Sequence, residues 1–240
     1  MIAERGGLFA PNGEASKLNR HQWAQVRTAN FKRWFGDWEG DAENASKVVD
    51  ANGEPLVMYH GSDRSFTVFD PNKAGTSSTT KTGKQKLLWF TDNTANAMSY
   101  ADNSPELRKA YADHVFGVLP LSENDLADLI SRMNAGEGMV VYPVFVSAKS
   151  PQIFDGKGRV TTNKDRAAAI VKAKKSGGDV DGLIVKNTRD RDPESDAFTH
   201  VAVFSPGQVK SSLGNAGTFS GETDNILYQP DDGPGPVKRG

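Results

Sequence analysis

The sequence predicts one α+β domain in which helices pack around short, mostly antiparallel strands. Three observations support this class. Short runs rich in valine and aromatic residues alternate with helical patterns, turn residues bound those runs, and 240 residues suffice for one sizeable core. The absence of cysteine excludes a disulfide framework and thiolate chemistry.

Charge and hydropathy limit the partners of the chain. A formal net charge of -1 argues against a globally electrostatic nucleic-acid binder. Four histidines without a His-x-x-x-His pair predict no metal site. No apolar run reaches the length of a membrane span, and the first 13 residues lack the apolar core of a signal peptide. We therefore expect a soluble, cytoplasmic domain without a membrane partner.

The two ends differ in composition from the middle of the chain. Residues 1–16 are glycine-rich and aperiodic, and residues 230–240 form a Pro/Gly/Asp run. We predict that both ends are disordered and that the folded domain spans residues 17–229.

The first elements are predicted from helical spacing and turn chemistry. Residues 18–34 carry apolar side chains at close to helical spacing, and Asn19 can cap the helix. Asp50 to Gly53 has turn composition and separates two runs with strand propensity, residues 47–50 and 55–60. These segments predict an amphipathic helix followed by a hairpin.

The remaining elements follow from the same criteria. We predict further strands at residues 86–91, 139–146, 182–186 and 200–204. We predict further helices at residues 93–100, 105–114, 122–133 and 163–175.

Basic and aromatic residues interleave between Arg27 and Trp38. Such a segment can stack bases and follow phosphates, or it can bury aromatic side chains on one helix face with cations on the solvated side. We favour core packing and keep phosphate or target binding as the alternative.

A His-Gly pair closes the apolar run Leu56 to Tyr59. His60 and Gly61 place an imidazole and an unobstructed peptide unit at a strand end, where a flat ring bearing an amide could lie against the backbone. Tyr100 follows at a distance suited to stacking over that ring.

These residues resemble the ADP-ribosyltransferases of the diphtheria-toxin and poly(ADP-ribose) polymerase type, which carry His-Gly on their first core strand. The run Trp89 to Asp92, followed by Tyr100, matches the aromatic-Phe-x-Asp pattern and the ring-stacking tyrosine of that group. The chain is more closely similar to the ADP-ribosyltransferase-like domains of polyvalent proteins from phages, prophages and other mobile elements. The matching segments are residues 30–38, 46–50, 53–57, 181–187 and 203–212.

The resemblance implies NAD as the substrate, bound in a cleft between a split pair of antiparallel sheets with peripheral helices. It implies that His60 holds the adenosine ribose hydroxyl, that the Gly61 backbone pairs with the nicotinamide carboxamide, and that Ser62 helps to orient that amide. We favour Tyr100 over Trp89 as the nicotinamide stack, because an indole lacks the acceptor of the phenol often found there. The predicted NAD contacts are His60, Gly61, Ser62, Trp89, Phe90, Thr91 and Tyr100.

The third catalytic position departs from the family pattern. Active members usually supply a glutamate at the start of the last core strand, and here His200 stands near that place. A carboxylate can stabilise the oxocarbenium-like centre of NAD cleavage, whereas a neutral imidazole offers no negative charge. We predict His60, Tyr100 and His200 as the catalytic residues. Glu194, Asp196 and Gln208 remain open as replacements for the glutamate.

The sequence thus predicts a mono-ADP-ribosyltransferase that transfers ADP-ribose from NAD to a protein or RNA. The resemblance favours a mobile-element effector or toxin that acts in the cytoplasm, with delivery into a bacterial host or target cell and a neutralising immunity partner as further expectations. NAD glycohydrolysis and an inactive module that binds NAD or ADP-ribose are the alternatives. The missing strand glutamate is the feature that favours the inactive module.

Overall fold

The computed structural model describes residues 7–62, 65–73, 86–101, 122–125, 127, 140–175, 179–189, 196–215 and 217–227. The strands are β1 Met58–Ser62, β2 Leu88–Thr91, β3 Val140–Val146, β4 Pro151–Val160, β5 Gly182–Arg189, β6 Phe198–Val203 and β7 Val209–Ser211. The helices are α1 Arg20–Gln25, α2 Ala29–Phe35, α3 Thr94–Ala101 and α4 Asn163–Lys175, with a 3₁₀ turn at Pro206–Gln208.

The strands form one sheet in the order β4-β5-β6-β2-β1-β3-β7. Among the described strands, β4 and β5 run parallel and the other neighbours are antiparallel. Strand β1 pairs with β3 over its whole length but with β2 at a single position, Tyr59↔Thr91. We call this narrow β1/β2 junction the seam. It divides the sheet into two halves, and the predicted α+β class with a split sheet is confirmed.

The predicted single helix at residues 18–34 is two helices. Asn19 caps α1 through a capping box with Gln22, as its position suggested. Thr28 starts α2 by accepting from the Phe31 amide, while its hydroxyl donates to the carbonyl of Gln25 at the end of α1. A second cap inside the pattern therefore ends one helix and begins the next.

The predicted hairpin is much shorter than expected. Its turn is present, since the Asp50 amide donates to the Glu54 carbonyl and Val49 bridges Pro55. Strand β1 begins only at Met58 and takes β3 as its main partner. Long-range pairing therefore replaces the local pairing that the turn suggested.

The aromatic segment after Arg27 packs in the core, which confirms the favoured interpretation. Phe31, Trp34, Phe35 and Trp38 are all buried in one cluster with Phe145 and Phe219. Two of the three interleaved cations are held in ion pairs, Arg27 with Glu39 and Glu54, and Lys32 with Asp37 and Glu39. The third, Arg33, is exposed and donates to Asn30. This arrangement does not support the phosphate-binding alternative.

Arg27 and Glu54 form a buried ion pair beneath α1. Glu54 is 1% exposed and accepts from both Arg27 and the Ser16 hydroxyl. The Arg27 guanidinium also lies 3.8 Å from the Trp23 ring centroid and 5.1 Å from that of Trp38. These contacts join the N-terminal segment, α1 and the Asp50 turn into one unit.

The predicted domain boundaries stay predictions. Residues 7–16, assigned to a disordered end, are placed against the domain, where the Trp23 indole donates to the Phe9 carbonyl and Phe9 bridges Ala15. Residues 1–6 and 228–240 lie outside the described residues, as do the predicted helix at 105–114 and most of that at 122–133.

Candidate active site

The seam is held by a histidine side chain. His60 on β1 is half-buried, and its Nδ1 lies 2.8 Å from the carbonyl oxygen of Trp89 on β2. Because a carbonyl can only accept, Nδ1 carries the proton of this hydrogen bond. Burial lowers the pKa of His60, partly opposed by this bond. The imidazole is therefore neutral at pH 7, and Nε2 retains a lone pair that can accept from a hydroxyl group.

Three phenyl rings surround His60. Ring centroids lie 5.0 Å from Phe69, 5.7 Å from Phe90 and 6.2 Å from Phe66. Phe66 is itself fixed by Tyr142 of β3, which stacks on its ring at 4.5 Å and accepts from its amide. This aromatic cage provides the desolvation that keeps the imidazole neutral.

Gly61 is the point at which α3 meets the sheet. A Cβ atom at this position would lie 1.8 Å from the carbonyl oxygen of Ala97 and 2.6 Å from the amide nitrogen of Ala101. The backbone of α3 thus packs on the backbone of β1, which only glycine permits. Within the described ladder Gly61 has no partner on β2, so one edge of this peptide faces the seam.

The sheet register places the two candidate histidines on opposite faces. Tyr59 pairs with Thr91, and Thr91 pairs with His200, so these three side chains share one face. His60 follows Tyr59 and points to the other face, where it contacts Phe90. The structure therefore brings together Gly61, α3 and His200 on one face, while the His60 side chain lies on the opposite face.

His200 lies in a tight packing environment. It is 5% exposed, and its Nε2 is 3.3 Å from Asn96 Oδ1 on α3. Its ring centroid lies 4.9 Å from that of Phe198 and 6.1 Å from that of Trp89. The imidazole of His200 therefore offers little surface to a ligand.

The other predicted contacts differ in accessibility. Ser62, Trp89 and Tyr100 are half-buried and retain surface that a ligand could touch. Phe90 and Thr91 are 2% and 4% exposed, because Phe90 belongs to the core and Thr91 accepts from the Asn93 amide in the turn before α3. The last two side chains have little surface for NAD.

The alternative replacements for the glutamate are placed as follows. Asp196 is exposed on the loop before β6, and Glu194 lies outside the described residues. Gln208 is engaged by the backbone, since its amide nitrogen donates to the carbonyls of Ser147 and Asp181 and its oxygen accepts from the Ser205 amide. Gln208 thus shapes the turn after β6.

Asp92 is a residue whose position the sequence analysis did not anticipate. Its amide donates to the Thr199 carbonyl at 3.1 Å, and its Oδ1 accepts from the Thr199 amide at 2.7 Å. Burial raises its pKa, opposed by these hydrogen bonds. Asp92 ties the start of α3 to β6 directly beside His200, and the aromatic-Phe-x-Asp pattern was the available signal for it.

We expect Asp92→Asn to retain the fold and Asp92→Ala to lose about 1–3 kcal/mol of unfolding free energy, because only alanine leaves the Thr199 amide without its acceptor. The folded-state pKa of Asp92 is raised above its ordinary value of 3.8. As the pH falls, the Asp92 carboxylate is therefore protonated in the folded protein before it is protonated in the unfolded chain. The wild type should therefore gain stability relative to Asp92→Asn as the pH drops from 7 towards 3.8, measured by urea unfolding. Equal unfolding free energies of Asp92→Asn and Asp92→Ala at neutral pH would contradict the proposed role of the hydrogen bond between Asp92 and Thr199.

A sheet narrowed at a seam, with His60 and Gly61 inside β1 and a tyrosine-bearing helix packed on that strand, is the arrangement expected from the resemblance to the class of ADP-ribosyltransferases. The family described as "ADP-Ribosyltransferase in polyvalent proteins" matches residues 50–219, and the chain belongs to this family. The resemblance drawn from the sequence is confirmed. Helices α1 and α2 precede the matched range, although they pack on it.

ADP-ribosyltransferases in general use NAD as their substrate, and membership of the family supports an ADP-ribosyltransferase-type function for this domain. Comparison with curated proteins and with solved structures gave no match. In the described parts of the chain, no helix is long and apolar enough to cross a membrane, and no group of histidine and carboxylate side chains could hold a metal ion.

Proposed function

We propose that this domain is a mono-ADP-ribosyltransferase of a mobile-element effector, which passes ADP-ribose from NAD to a protein or RNA acceptor. The observation that carries the proposal is the place of His60 at the seam, where its Nδ1 donates to the Trp89 carbonyl and its Nε2 can accept from a ligand. Family membership supplies the reaction type.

The proposed roles are those that the family resemblance implies. His60 Nε2 accepts from a ribose hydroxyl, the Gly61 peptide edge at the seam meets the carboxamide, and Tyr100 of α3 stacks on the nicotinamide. When the glycosidic bond breaks, its electron pair goes to the nicotinamide nitrogen and a positive charge develops at the ribose C1′. The acceptor then forms the new bond to C1′ and loses a proton.

A second candidate is a module that binds NAD or ADP-ribose without turnover. The burial of His200 favours it, because the imidazole in the glutamate position is packed against Asn96 and Trp89 and brings no negative charge to C1′. Asp92 follows Thr91, the residue that pairs with His200, and its carboxylate already accepts a hydrogen bond from the Thr199 amide. NAD glycohydrolysis, with water as the acceptor, has no separate observation in its favour.

The proposal is tested by nicotinamide release and NAD affinity in the wild type, His60→Asn and His60→Ala, with and without bacterial lysate. The amide nitrogen of asparagine can donate to the Trp89 carbonyl in place of Nδ1, but it supplies no acceptor at the place of Nε2. We therefore expect both variants to lose about tenfold in NAD affinity, as the loss of one hydrogen bond predicts, with His60→Asn better folded than His60→Ala.

His21→Ala is the matched control, since His21 is an exposed histidine of α1. Release that requires lysate and His60 would indicate a transferase, and release without lysate would indicate hydrolysis or self-modification. NAD binding without release under either condition would establish the binding module. Undiminished affinity in both His60 variants would refute the site itself.

A further inference from the structure

Lys210 of β7 is a buried lysine that the proposed mechanism does not use. It is 0% exposed, and its Nζ donates to the carbonyl oxygens of Thr223 and Asn225 at 2.5 and 3.1 Å. Burial lowers the pKa of its ammonium group to about 8, opposed by the nearby Asp224 carboxylate. Both acceptors lie in residues 223–227, which we call the strap. A group that is costly to bury thus gives its described hydrogen bonds to one short backbone segment.

The strap connects β7 to the segment that carries two rings of the aromatic cage. The Ser211 amide of β7 donates to the Ile226 carbonyl at 3.0 Å, and the Ile226 amide donates to the Thr67 carbonyl at 2.9 Å. Asn225 also forms an isolated bridge with Val68. Because Ile226 is bonded on both sides, the strap sets the distance between this segment and β7.

The two cage rings stand on either side of the bonded segment. Phe66 precedes it and Phe69 follows it, and their ring centroids lie 6.2 and 5.0 Å from that of His60. Phe69 is buried and belongs to the same core cluster as Ile226. A displaced strap would therefore loosen the cage and weaken the desolvation that lowers the pKa of His60.

We propose that Lys210 is a positioning residue of the candidate site, which fixes the strap and, through the strap, the phenyl rings that hold His60 at the seam. The lysine itself touches no ligand. Its effect on NAD rests on the proposed function, whereas its effect on the surroundings of His60 does not. The strap lies outside residues 50–219, which the family matches.

The experiment compares the wild type with Lys210→Met, Lys210→Gln and Lys210→Arg. Methionine removes the charge and the donors, glutamine keeps donors on a shorter uncharged side chain, and arginine keeps both charge and donors. Lys149→Met is the matched control, because Lys149 is exposed between β3 and β4. The measurements are hydrogen exchange of the strap and residues 66–69, NMR titration of the His60 imidazole, and calorimetric dissociation constants of NAD and ADP-ribose. His60→Asn identifies the His60 signal.

In Lys210→Met we expect faster hydrogen exchange of the strap and residues 66–69. The pKa of His60 should rise towards its ordinary value, because a looser cage admits water. NAD and ADP-ribose should bind about fivefold more weakly, since the imidazole is misplaced rather than removed. Lys210→Gln should show smaller changes of the same sign, and Lys210→Arg should stay close to the wild type. A loss of unfolding free energy alone would leave the His60 titration of the folded molecules unchanged.

The outcomes separate this role from the function beneath it. Unchanged exchange of the strap, or faster exchange with an unchanged His60 titration, overturns the proposal. A raised pKa of His60 with unchanged affinity for NAD also overturns it. Unfolding of both Lys210→Met and Lys210→Gln would assign the lysine to the fold as a whole and against a positioning role. If the wild type binds neither NAD nor ADP-ribose, the proposed function fails, and exchange and titration still decide whether Lys210 positions His60.

Discussion

Gly61→Ala is expected to displace α3 from the sheet and to abolish NAD binding. The added methyl group would lie 1.8 Å from the Ala97 carbonyl oxygen and 2.6 Å from the Ala101 amide nitrogen. Both atoms belong to the helix backbone, so no side-chain rotation relieves the clash. Because ordinary overpacking of a core costs about 1–3 kcal/mol, we expect a loss of unfolding free energy of about 3 kcal/mol or more.

Thermal unfolding and NAD titration of Gly61→Ala provide the measurement. Gly221→Ala is the matched control, since a Cβ there would meet only the Trp34 side chain at the ordinary distance of 3.7 Å. We expect the control to match the wild type in both measurements. A stable Gly61→Ala protein with normal NAD affinity would show that α3 does not pack on β1 in this way.

Arg27→Met is expected to destabilise the fold by about 3–5 kcal/mol, the usual consequence of leaving a buried charge without its partner. Glu54 is 1% exposed, and after the substitution its carboxylate would keep the Ser16 hydroxyl but no cation among the described contacts. The loss of the guanidinium from between Trp23 and Trp38 adds to the cost.

The double variant Arg27→Met/Glu54→Gln tests the mechanism. Removing the charge from both partners should recover part of the lost unfolding free energy, because burying the remaining amide costs less free energy than burying a carboxylate. Guanidinium unfolding of the two single variants and the double variant completes a double-mutant cycle. Strictly additive losses would mean that the ion pair itself contributes nothing.

The sequence predicted the elements that have local signals. Asn19 marked the start of α1, and the valine-rich and apolar runs marked β1, β2, β3, β5 and β6. Strand β4 was missed because Asp155 to Gly158 has the composition of a turn, and the structure accommodates it by a register shift with Lys157 and Gly158 at positive φ. Pairing with β5 there overrides local propensity.

The candidate site was only partly predictable, because its geometry depends on strand order. The His-Gly motif predicted His60 at a strand end, whereas the structure has it in the middle of β1. Its bond to Trp89 and its separation from His200 required the register of three strands. The accessibility of Phe90 and Thr91 likewise depended on long-range packing.

At the seam, the spacing of the two strands depends more on side chains than on backbone pairing. Elsewhere in the sheet, ladders of several residue pairs fix the spacing of neighbouring strands, whereas β1 and β2 share one pair. Beyond that pair, the spacing is set by the His60 imidazole, wedged among phenyl rings and bonded to the opposite strand. The spacing of β1 and β2 is therefore set in part by side chains, so substitutions at the seam can change it while the rest of the sheet keeps its register.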